Sequence, residues 1–439
     1  MLIPLGILDS GGVAVNYFLS TITGAVGTQT VPVDLAIDND QNIYFLGNTN
    51  NSGAGGNDHL IMKLDSDGAV VWQRTIGSTS NDSSLGGIRV NNDGVYAALS
   101  IDGGTSNSDL HVVKYNHSGV LQWQRQLVDP YNLNEYAMGV ALDSSGGIYA
   151  IGRALWNVAP YDREFTLFKY DNTGAIQWQR QFGGIGDEEP QGVTTDASDN
   201  VYVWGITDST GLGGPDDFLL VKYNSAGVIQ LQRELGTANR ETASAIATDS
   251  SDNVYGVGRY DSGSGDRATI VKYNSTGTVQ WQKELYGNDS QFNDIAISGS
   301  NAYLGGEENP SAGTDPAILV KYDLSGNVVW QRQFHDGSND TTSGISADAN
   351  AIYVNLRLLD TTNGVYYPVI AKVPTDGSLT GIYTVNGYSL NYSLTSLTAG
   401  SVTMTANASS LTDLAGSFTD QAGSATDAAA SQTVTVTTL

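Results

Sequence analysis

Short runs of alternating apolar and polar residues, separated by polar turns, dominate this chain. GVTTDA, NVYVWG, FLLVKY and VIQLQREL follow one another between residues 192 and 235. Each run is long enough for a β-strand and too short for an average helix. The pieces between them are rich in Gly, Ser, Asp and Asn, which favour turns. The pattern predicts four consecutive strands.

The same four-strand unit recurs along most of the chain. A lysine in the third strand marks each copy, at Lys63, Lys114, Lys169, Lys222, Lys272, Lys321 and Lys372. A tyrosine in the second strand precedes each lysine by 17 to 20 residues, at Tyr44, Tyr96, Tyr149, Tyr202, Tyr255, Tyr303 and Tyr353. Four-stranded units with a period of about 50 residues are typical of propeller blades. The sequence therefore predicts an all-β fold, a seven-bladed β-propeller of four-stranded antiparallel blades.

The turn between the third and fourth strands has a constant length. A glycine follows each lysine by five residues, at Gly68, Gly119, Gly174, Gly227, Gly277, Gly326 and Gly377. A basic residue follows by eleven in the first six units, at Arg74, Arg125, Arg180, Arg233, Lys283 and Arg332. A left-handed backbone at the end of a hairpin loop explains the glycine.

The seventh unit lacks a normal fourth strand. Gly381 stands where tryptophan is expected and Tyr383 where arginine is expected. NYFLSTITG, residues 16 to 24, reads as a fourth strand without its first three, and Phe18 takes the tryptophan place. We expect this N-terminal strand to close the ring as the outer strand of blade 7, because closure removes an unpaired edge.

The two ends differ in composition from the ring. We divide the chain into an N-terminal arm at 1–15, the propeller at 16–386 and a Ser/Thr/Ala-rich tail at 387–439 for attachment or assembly. The tail repeats SLTD, SFTD and SATD every seven residues and ends in QTVTVTTL, a strand pattern. It is too small and polar for a core of its own. We expect a short β-rich tail that packs on the ring, on a partner or on sister subunits in an oligomer.

Charge and composition narrow the partners. The formal charge is −26, and the 20 Lys and Arg residues form no basic run, which argues against nucleic-acid binding. The chain has no cysteine, so disulfides and thiolate metal sites are excluded. MLIPLGILDSGG lacks the basic start of a signal peptide. Since no later segment is apolar enough to span a bilayer, we expect no membrane insertion.

One phrase, IQWQRQFGG at 176–184, is written six times with small changes. Its tryptophans are Trp72, Trp123, Trp178, Trp281 and Trp330, and Leu231 replaces the residue in unit four. They could serve as sugar platforms or an aromatic cage. Their regular position in the fourth strand favours packing between adjacent blades, a structural role.

The lysine and arginine series have two interpretations. They could form a positive ring around the channel that binds anions. Alternatively, each could cover sheet surface with its alkyl stem or pair with a carboxylate five residues before the lysine. The latter, favoured interpretation assigns Asp58, Asp109, Glu164 and Asp217 as partners.

Catalytic and metal-binding patterns are absent from the sequence. The four histidines, His59, His111, His117 and His335, are scattered without HExxH spacing, and no GxSxG motif occurs. The paired acids at 188–189 and 307–308 fall in predicted loops, where acidic side chains are usually solvated and not catalytic. DNDQN at 38–42 lacks the glycine and the final glutamate of an EF-hand loop. We therefore expect no catalytic residue, no metal, no cofactor and no enzymatic activity.

Four aromatic residues interrupt the repeat. Trp156 and Tyr161 lie in the long loop of unit three, and Tyr131 and Tyr136 lie in the segment that enters this unit. Both connections emerge on the same face of a propeller, so the four side chains would gather at one rim. Aromatic rims bind sugars or protein partners. The alternative is that these side chains only pack the long loop.

Two resemblances complete the sequence argument. DASDNVYVWG, DSSDNVYGVG and DSSGGIYAIG, each followed by a KY pair and a further strand, resemble the bacterial β-propeller repeat called SBBP over residues 16–386. This resemblance implies the fold and no single activity. The first twelve residues and SLTDLAGSFTDQAGSATDAAA resemble the ends of structural proteins of tailed phages, particularly cyanophage-type. They imply a virion component, made in the host cytoplasm and released by lysis.

The leading hypothesis is a non-enzymatic virion protein of a tailed phage whose propeller is an exposed interaction module. We expect it to bind other virion proteins through the arm and the tail, and a host-surface glycan in a tail-fibre or adsorption role. A capsid or tail decoration protein is the first alternative. A secreted or surface propeller, either an adhesin or a polysaccharide-acting enzyme, is the second.

Overall fold

The structure is a computed structural model of the 439-residue chain. It describes residues 7–8, 14–23, 29–50, 55–102, 107–128, 133–155, 163–183, 186–208, 214–286, 289–308, 315–360, 364–385, 388–395, 397–400, 402, 404–407, 412–415, 419–422, 426–429 and 433–438. Among these residues no helix is long and apolar enough to cross a membrane.

Seven four-stranded antiparallel blades form a closed ring, as the sequence predicted. We name the strands of each blade A to D, from the central channel outward. Blades 1 to 4 consist of Thr30–Ile37, Ile43–Thr49, Asp58–Leu64 and Val70–Gly77; Ser83–Asn91, Gly94–Asp102, Ser108–Tyr115 and Leu121–Val128; Glu135–Leu142, Ile148–Leu155, Arg163–Tyr170 and Ile176–Gly183; and Glu188–Thr195, Val201–Thr207, Asp217–Tyr223 and Ile229–Gly236.

The last three blades follow the same order. Blades 5 to 7 consist of Glu241–Thr248, Val254–Asp261, Asp266–Tyr273 and Val279–Tyr286; Ser290–Ser298, Asn301–Glu308, Ala317–Asp323 and Val328–His335; and Thr341–Ala347, Ala351–Asp360 and Val365–Pro374, with Phe18–Thr23 as strand D. The A–B and C–D turns lie on one face of the ring, the turn face. The B–C and D–A connections lie on the other, the loop face.

The C–D turn requires its glycine for two reasons. Gly119 has a φ of 74°, which residues other than glycine rarely adopt. A Cβ atom at this position would lie 2.6 Å from the Trp72 ring of the preceding blade. The indole of one blade therefore packs directly on the turn of the next.

The hydrophobic core lies between blades, in seven clusters around the ring. One cluster joins Tyr44 and Ile61 of blade 1 to Val95, Leu99 and Val113 of blade 2. Blade 7 and blade 1 meet in a similar cluster that contains Phe18, Phe45 and Tyr353. Each blade is therefore stabilised by its neighbours, and an open ring would leave two apolar faces in water.

The N-terminal strand closes the ring, which confirms the sequence prediction. Phe18–Thr23 pairs antiparallel with Val365–Pro374, with Phe18 opposite Lys372. Phe18 is buried and takes the place of the tryptophan in the other blades. Before it, Ile7–Leu8 pairs with Ala14–Val15 in a small separate sheet.

The C-terminal segment runs around the whole ring as an extra outer strand on every blade. We call the seven strands that do this the belt. In chain order they are Tyr388–Leu394, Thr398–Gly400, Thr405–Asn407, Thr412–Ala415, Thr419–Ala422, Thr426–Ala429 and Thr433–Thr438. They pair antiparallel with strand D of blades 6, 5, 4, 3, 2, 1 and 7, in that order.

The seven-residue period of the tail is thus the step from one blade to the next. The last six belt strands begin at residues 398, 405, 412, 419, 426 and 433, each with a threonine. The belt runs opposite to the blade order and ends beside Phe18–Thr23. At blade 6, Gly381–Val385 pairs outside the belt as a sixth strand. The tail pairs with the ring and, in this chain, covers its outer edge.

The glutamine of the repeated phrase contacts the belt. Gln282 accepts a hydrogen bond from the Met404 backbone N–H at 2.7 Å and donates one to the Met404 carbonyl oxygen at 3.3 Å. Gln331 donates to the Leu397 carbonyl oxygen at 3.0 Å. These amide side chains therefore hold backbone between belt strands, where strand pairing is interrupted.

Candidate functional site

The repeated phrase joins each blade to the next. Each tryptophan Nε1 donates to a carbonyl oxygen in the C–D turn of the following blade at 2.9–3.3 Å; the donors are Trp72, Trp123, Trp178, Trp281 and Trp330. The arginines two positions later donate through Nε to the glycine carbonyl of the same turn at 2.6–3.2 Å; they are Arg74, Arg125, Arg180, Arg233 and Arg332. These side chains are therefore used in blade-to-blade contacts.

Four of the seven lysines bind carboxylates other than those that the sequence suggested. Lys169 lies 3.1 Å from Asp143 of the A–B turn, 4.8 Å from the Tyr149 ring centroid, and donates to the Ser225 carbonyl oxygen of the next blade. Lys63, Lys222 and Lys272 pair in the same way with Asp38, Asp196 and Asp249. The assignment of Asp58, Asp109, Glu164 and Asp217 as partners was wrong, because the lysine Nζ reaches the turn face, far from the other end of its own strand. Of the four lysines assigned to them, three bind turn carboxylates there, and Lys114 donates to the Asn172 carbonyl oxygen of the next blade at 3.4 Å.

The A–B turn aspartates are also saturated with protein donors. Asp38 accepts hydrogen bonds from the backbone N–H groups of Asp40 and Asn42, from the Asn42 side chain and from the Tyr44 hydroxyl. Within the described part of the chain, no group of three or more His, Cys, Asp or Glu side chains could hold a metal ion. DNDQN at 38–42 thus forms a hydrogen-bonded turn.

Two histidines are buried between blades 1 and 2. Burial lowers the pKa of His59 to about 4 and that of His111 to about 3, and a hydrogen bond to the Ser100 carbonyl oxygen only partly opposes the shift of His59. Both imidazoles are therefore neutral at physiological pH. Neither lies at an open surface.

The predicted aromatic rim is only partly described. Tyr131, Trp156 and Tyr161 lie outside the described residues. Tyr136 is on strand A of blade 3, and the Arg153 guanidinium lies 5.1 Å from its ring centroid. One face of this ring is thus covered by a cation.

Arg153 belongs to a charged network that interrupts the repeat. It lies 3.0 Å from Glu189, which also accepts a short hydrogen bond from Arg163. Arg163 lies 3.5 Å from Asp187, whose carboxylate accepts from the Arg163 backbone N–H at 2.8 Å. The network is on the loop face where blades 3 and 4 meet.

A pocket of about 480 Å³ opens on the same face, between blades 4 and 5. It is lined by Pro215, Ala238, Asn239, Arg240, Thr242, Arg259, Asp261 and Asp266. Arg240 Nε lies 2.8 Å from Asp216, and Arg259 lies 3.0 Å from Asp266. The side chain of Arg240 is 63% exposed and that of Arg259 is 39% exposed. Their remaining N–H groups are therefore accessible to a ligand.

The central channel holds a second departure from the repeat. Asp34 and Asp294 stand on strand A of blades 1 and 6, where blades 2 to 5 and 7 have Gly87, Gly139, Gly192, Ala245 and Gly344. Arg89 lies 2.7 Å from Asp34. Burial and the nearby Asp34 charge raise the pKa of Asp294 to about 7, against the effect of Arg89. These three side chains surround a cavity of about 110 Å³.

Sequence reasoning missed both the arginine pocket and the channel residues. Alignment of the A strands on the turn aspartates Asp38, Asp143, Asp196 and Asp249 places Asp34 and the two glycines at 139 and 192 in one column. A charged residue in a column of small residues was the available signal. The pocket has no comparable signal, because its lining comes from connections of different lengths.

Comparisons with known proteins show no family for this chain. No family model matches the chain, and no curated protein matches it. A solved structure of a protein of unknown function from Dyadobacter fermentans is similar over 82% of this chain and 98% of its own, with a TM-score of 0.46 and 10% identity. A periplasmic gluconolactonase from Pseudomonas aeruginosa is similar over 72% and 94%, with a TM-score of 0.42 and 13% identity.

The expectation that the chain has no enzymatic activity was wrong as an exclusion. The structures similar in fold include that gluconolactonase, glucose dehydrogenase and an acylaminoacyl peptidase from Pyrococcus horikoshii, the last with a TM-score of 0.45, 11% identity and coverage of 83% of this chain and 57% of its own. At this distance the likeness assigns no activity to the chain.

Proposed function

We propose that this protein is a glycan-binding module that recognises a neutral, polyhydroxylated ligand on the loop face of blades 3 to 5. One observation carries the proposal. Seven of the 20 Lys and Arg residues lie outside the two repeat series, and five of these seven are on this part of the loop face: Arg153, Arg163, Arg240, Arg259 and Arg267.

The state of these arginines favours hydroxyl groups over a free anion. Each is within 3.0 Å of a carboxylate oxygen, so the positive charge is already balanced. Ion-paired guanidinium and carboxylate groups keep donors and acceptors in a fixed geometry. A sugar hydroxyl both donates and accepts, so neighbouring hydroxyls on one ring can bond to both members of a pair.

The pocket between blades 4 and 5 suits a short stretch of glycan. Its volume falls in the range of small-molecule sites. Asn239 donates to the Asp261 carbonyl oxygen at 3.0 Å, and the Asp261 N–H donates to the Arg240 carbonyl oxygen at 2.8 Å. The lining is therefore held in place before a ligand arrives, which lowers the entropic cost of binding.

Binding to a panel of neutral and acidic polysaccharides, measured by biolayer interferometry, tests the proposal. We expect the double variant Arg240→Ala/Arg259→Ala to lose at least about tenfold in affinity for a neutral glycan, because charged hydrogen bonds are removed. Arg357→Ala is the matched control, since Arg357 lies over the Tyr366 ring of blade 7, away from the pocket. Equal loss in the control, or binding of no neutral glycan, would reject the proposal.

The proposal extends to the biological setting that the chain ends suggested. There the module is part of a tailed-phage virion, attached to other virion proteins, and the glycan belongs to the host surface. A decoration protein of a capsid or tail is the alternative in the same setting. Immunogold electron microscopy of intact particles tests it: label at a fibre or tail tip supports adsorption, label over the head supports decoration, and unlabelled particles contradict both.

A further inference from the structure

The channel contains a ring of backbone N–H groups that strand pairing leaves unused. Strand A is the inner edge of every blade, so alternate residues point their N–H groups away from strand B. The bonds from Asp143 N to Gly147 O and from Asp196 N to Asn200 O fix this alternation in blades 3 and 4. By the same alternation, the N–H groups that face the channel at one level belong to Leu35, Ile88, Val140, Val193, Ile246, Ile295 and Ile345.

Two aspartates satisfy four of these seven donors. Asp34 accepts from Leu35 N at 2.7 Å and from Ile88 N of the next blade at 3.0 Å. Asp294 accepts from Ile295 N at 2.8 Å and from Ile345 N of the next blade at 2.6 Å. Each carboxylate therefore bridges two neighbouring blades at the same level of the channel.

Three consecutive donors have no such carboxylate. The residues before Val140, Val193 and Ile246 are Gly139, Gly192 and Ala245, and the described part of the chain gives these three N–H groups no side-chain acceptor. A Cβ built at Gly192 would lie 3.0 Å from Ile246 N, the donor of the next blade. A side chain at this position would thus cover the donors, and glycine leaves them open.

The surroundings define what the three donors can bind. Arg89 of the adjacent blade lines the same cavity together with Asp34 and Asp294, and it is ion-paired with Asp34 at 2.7 Å, so the backbone N–H groups are the donors left for a ligand. Toward the turn face the channel continues into a cavity of about 340 Å³, whose lining includes Ile37, Val90, Leu142, Ala247 and Ala296. Convergent backbone N–H groups bind planar anions, and these aliphatic side chains can contact a short apolar tail within a lining that is otherwise largely polar.

We propose that blades 3 to 5 bind a short aliphatic monocarboxylate in the channel, with its carboxylate on the N–H groups of Val140, Val193 and Ile246. The ligand carboxylate accepts hydrogen bonds from the channel-facing N–H groups of these three blades, as Asp34 and Asp294 do in the other four. The site is separate from the pocket on the loop face, so either proposal can fail without the other.

Butyrate is the probe, and butyramide, its neutral isostere, is the ligand control. Isothermal titration of the full chain should detect butyrate, with butyramide at least about tenfold weaker because hydrogen bonds to a charged group are stronger. Gly192→Asp and Gly192→Asn should each abolish binding, since both place an acceptor on the donors. Gly192→Ala, whose Cβ approaches Ile246 N without adding an acceptor, should weaken binding less than either polar variant. Circular dichroism and thermal melting establish that each variant is folded.

The two polar variants separate occlusion from charge. If Gly192→Asn binds butyrate as the unchanged chain does, the donors are not the site and the proposal fails. It fails equally if butyramide binds as well as butyrate, or if the unchanged chain binds neither. A crystal structure of the unchanged chain with bromoacetate keeps the question decidable if the variants unfold. The bromine signal must then lie in the channel next to Val193, and its absence there overturns the proposal.

Discussion

The two edges of each blade differ in how their backbone groups are paired. The outer edge, strand D, is paired seven times over with the belt, by the same antiparallel bonds at every blade. The inner edge, strand A, faces the channel, and among the residues that the structure describes, Asp34 and Asp294 are the side chains that accept hydrogen bonds from its channel-facing N–H groups. Repetition thus seals the outside of the ring, and variation is concentrated on the inside and on the loop face.

The difference shows where binding is to be sought. Unpaired strand edges promote association with other chains, and the belt removes this hazard at the periphery. The channel edge is protected by its narrow space, so it needs no covering strand. Its open donors are therefore available to a small ligand, whereas the outer donors are used in the fold.

Removal of the belt should have the largest effect. A chain that ends at residue 395 loses six belt strands and exposes the outer edge of blades 1 to 5 and 7. We expect its melting temperature to fall on the order of 10 °C and the chain to self-associate through these edges. Differential scanning calorimetry and size-exclusion chromatography with light scattering measure both.

The seven-residue period supplies a matched control for this truncation. Deletion of residues 412–418 removes one unit and leaves the others intact, so the belt reaches one blade fewer. We expect an intermediate melting temperature and weaker association. If the truncated chain is as stable and as monomeric as the full chain, the belt does not protect the outer edge.

Removal of an indole between blades should have the second largest effect, a loss of stability in the outer half of the ring. Trp72 is 8% exposed, packs on Gly119 and donates to the His117 carbonyl oxygen. Trp72→Ala should lower the free energy of unfolding by about 3 kcal/mol. Trp72→Leu should cost less, about 1–2 kcal/mol, because blade 4 carries Leu231 in the same place. Denaturant titration measures both, and equal costs would argue against the packing role.

A smaller, pH-dependent effect should come from the inner edge. Because burial and Asp34 raise the pKa of Asp294 to about 7, the folded chain holds this proton at pH values where the unfolded chain has lost it. Stability from this group is therefore lost as the pH rises from about 4 through 7. Asp294→Asn should reduce the loss of stability between pH 5 and pH 8.5 by on the order of 1–3 kcal/mol.

Other buried carboxyls set the background for that measurement. Burial, partly opposed by hydrogen bonds from Thr237 and reinforced by Asp217, raises the pKa of Glu241 to about 8, and burial together with Asp336 does the same for Asp340. The unchanged chain and the Asp294→Asn variant share these contributions, so the difference between their two pH profiles of stability reports Asp294. Parallel profiles would show that Asp294 titrates normally.

The sequence predicted the ring well because its signals are local. Fixed spacings from lysine to glycine and arginine define a hairpin of constant length, and the misplaced copy at residues 16–24 revealed the closing strand. The belt was harder to predict. Its seven-residue period was visible in the sequence. Strands of Ser, Thr and Ala carry no apolar face, however, so nothing in the sequence indicated that each unit pairs with strand D of one blade. The channel donors and the arginine pocket depend on distances between blades that no local pattern contains.

The most direct test of the account is the location of ligand contact on the disc. Hydrogen exchange of the full chain, followed by mass spectrometry with and without neutral polysaccharides, reports every described element at once. We predict slower exchange in residues 186–189, 214–217, 237–242 and 259–267, and unchanged exchange in the belt and the turn face. Protection confined to the belt or the turn face, or none with any polysaccharide, would contradict the claim that function lies where the repeat is interrupted.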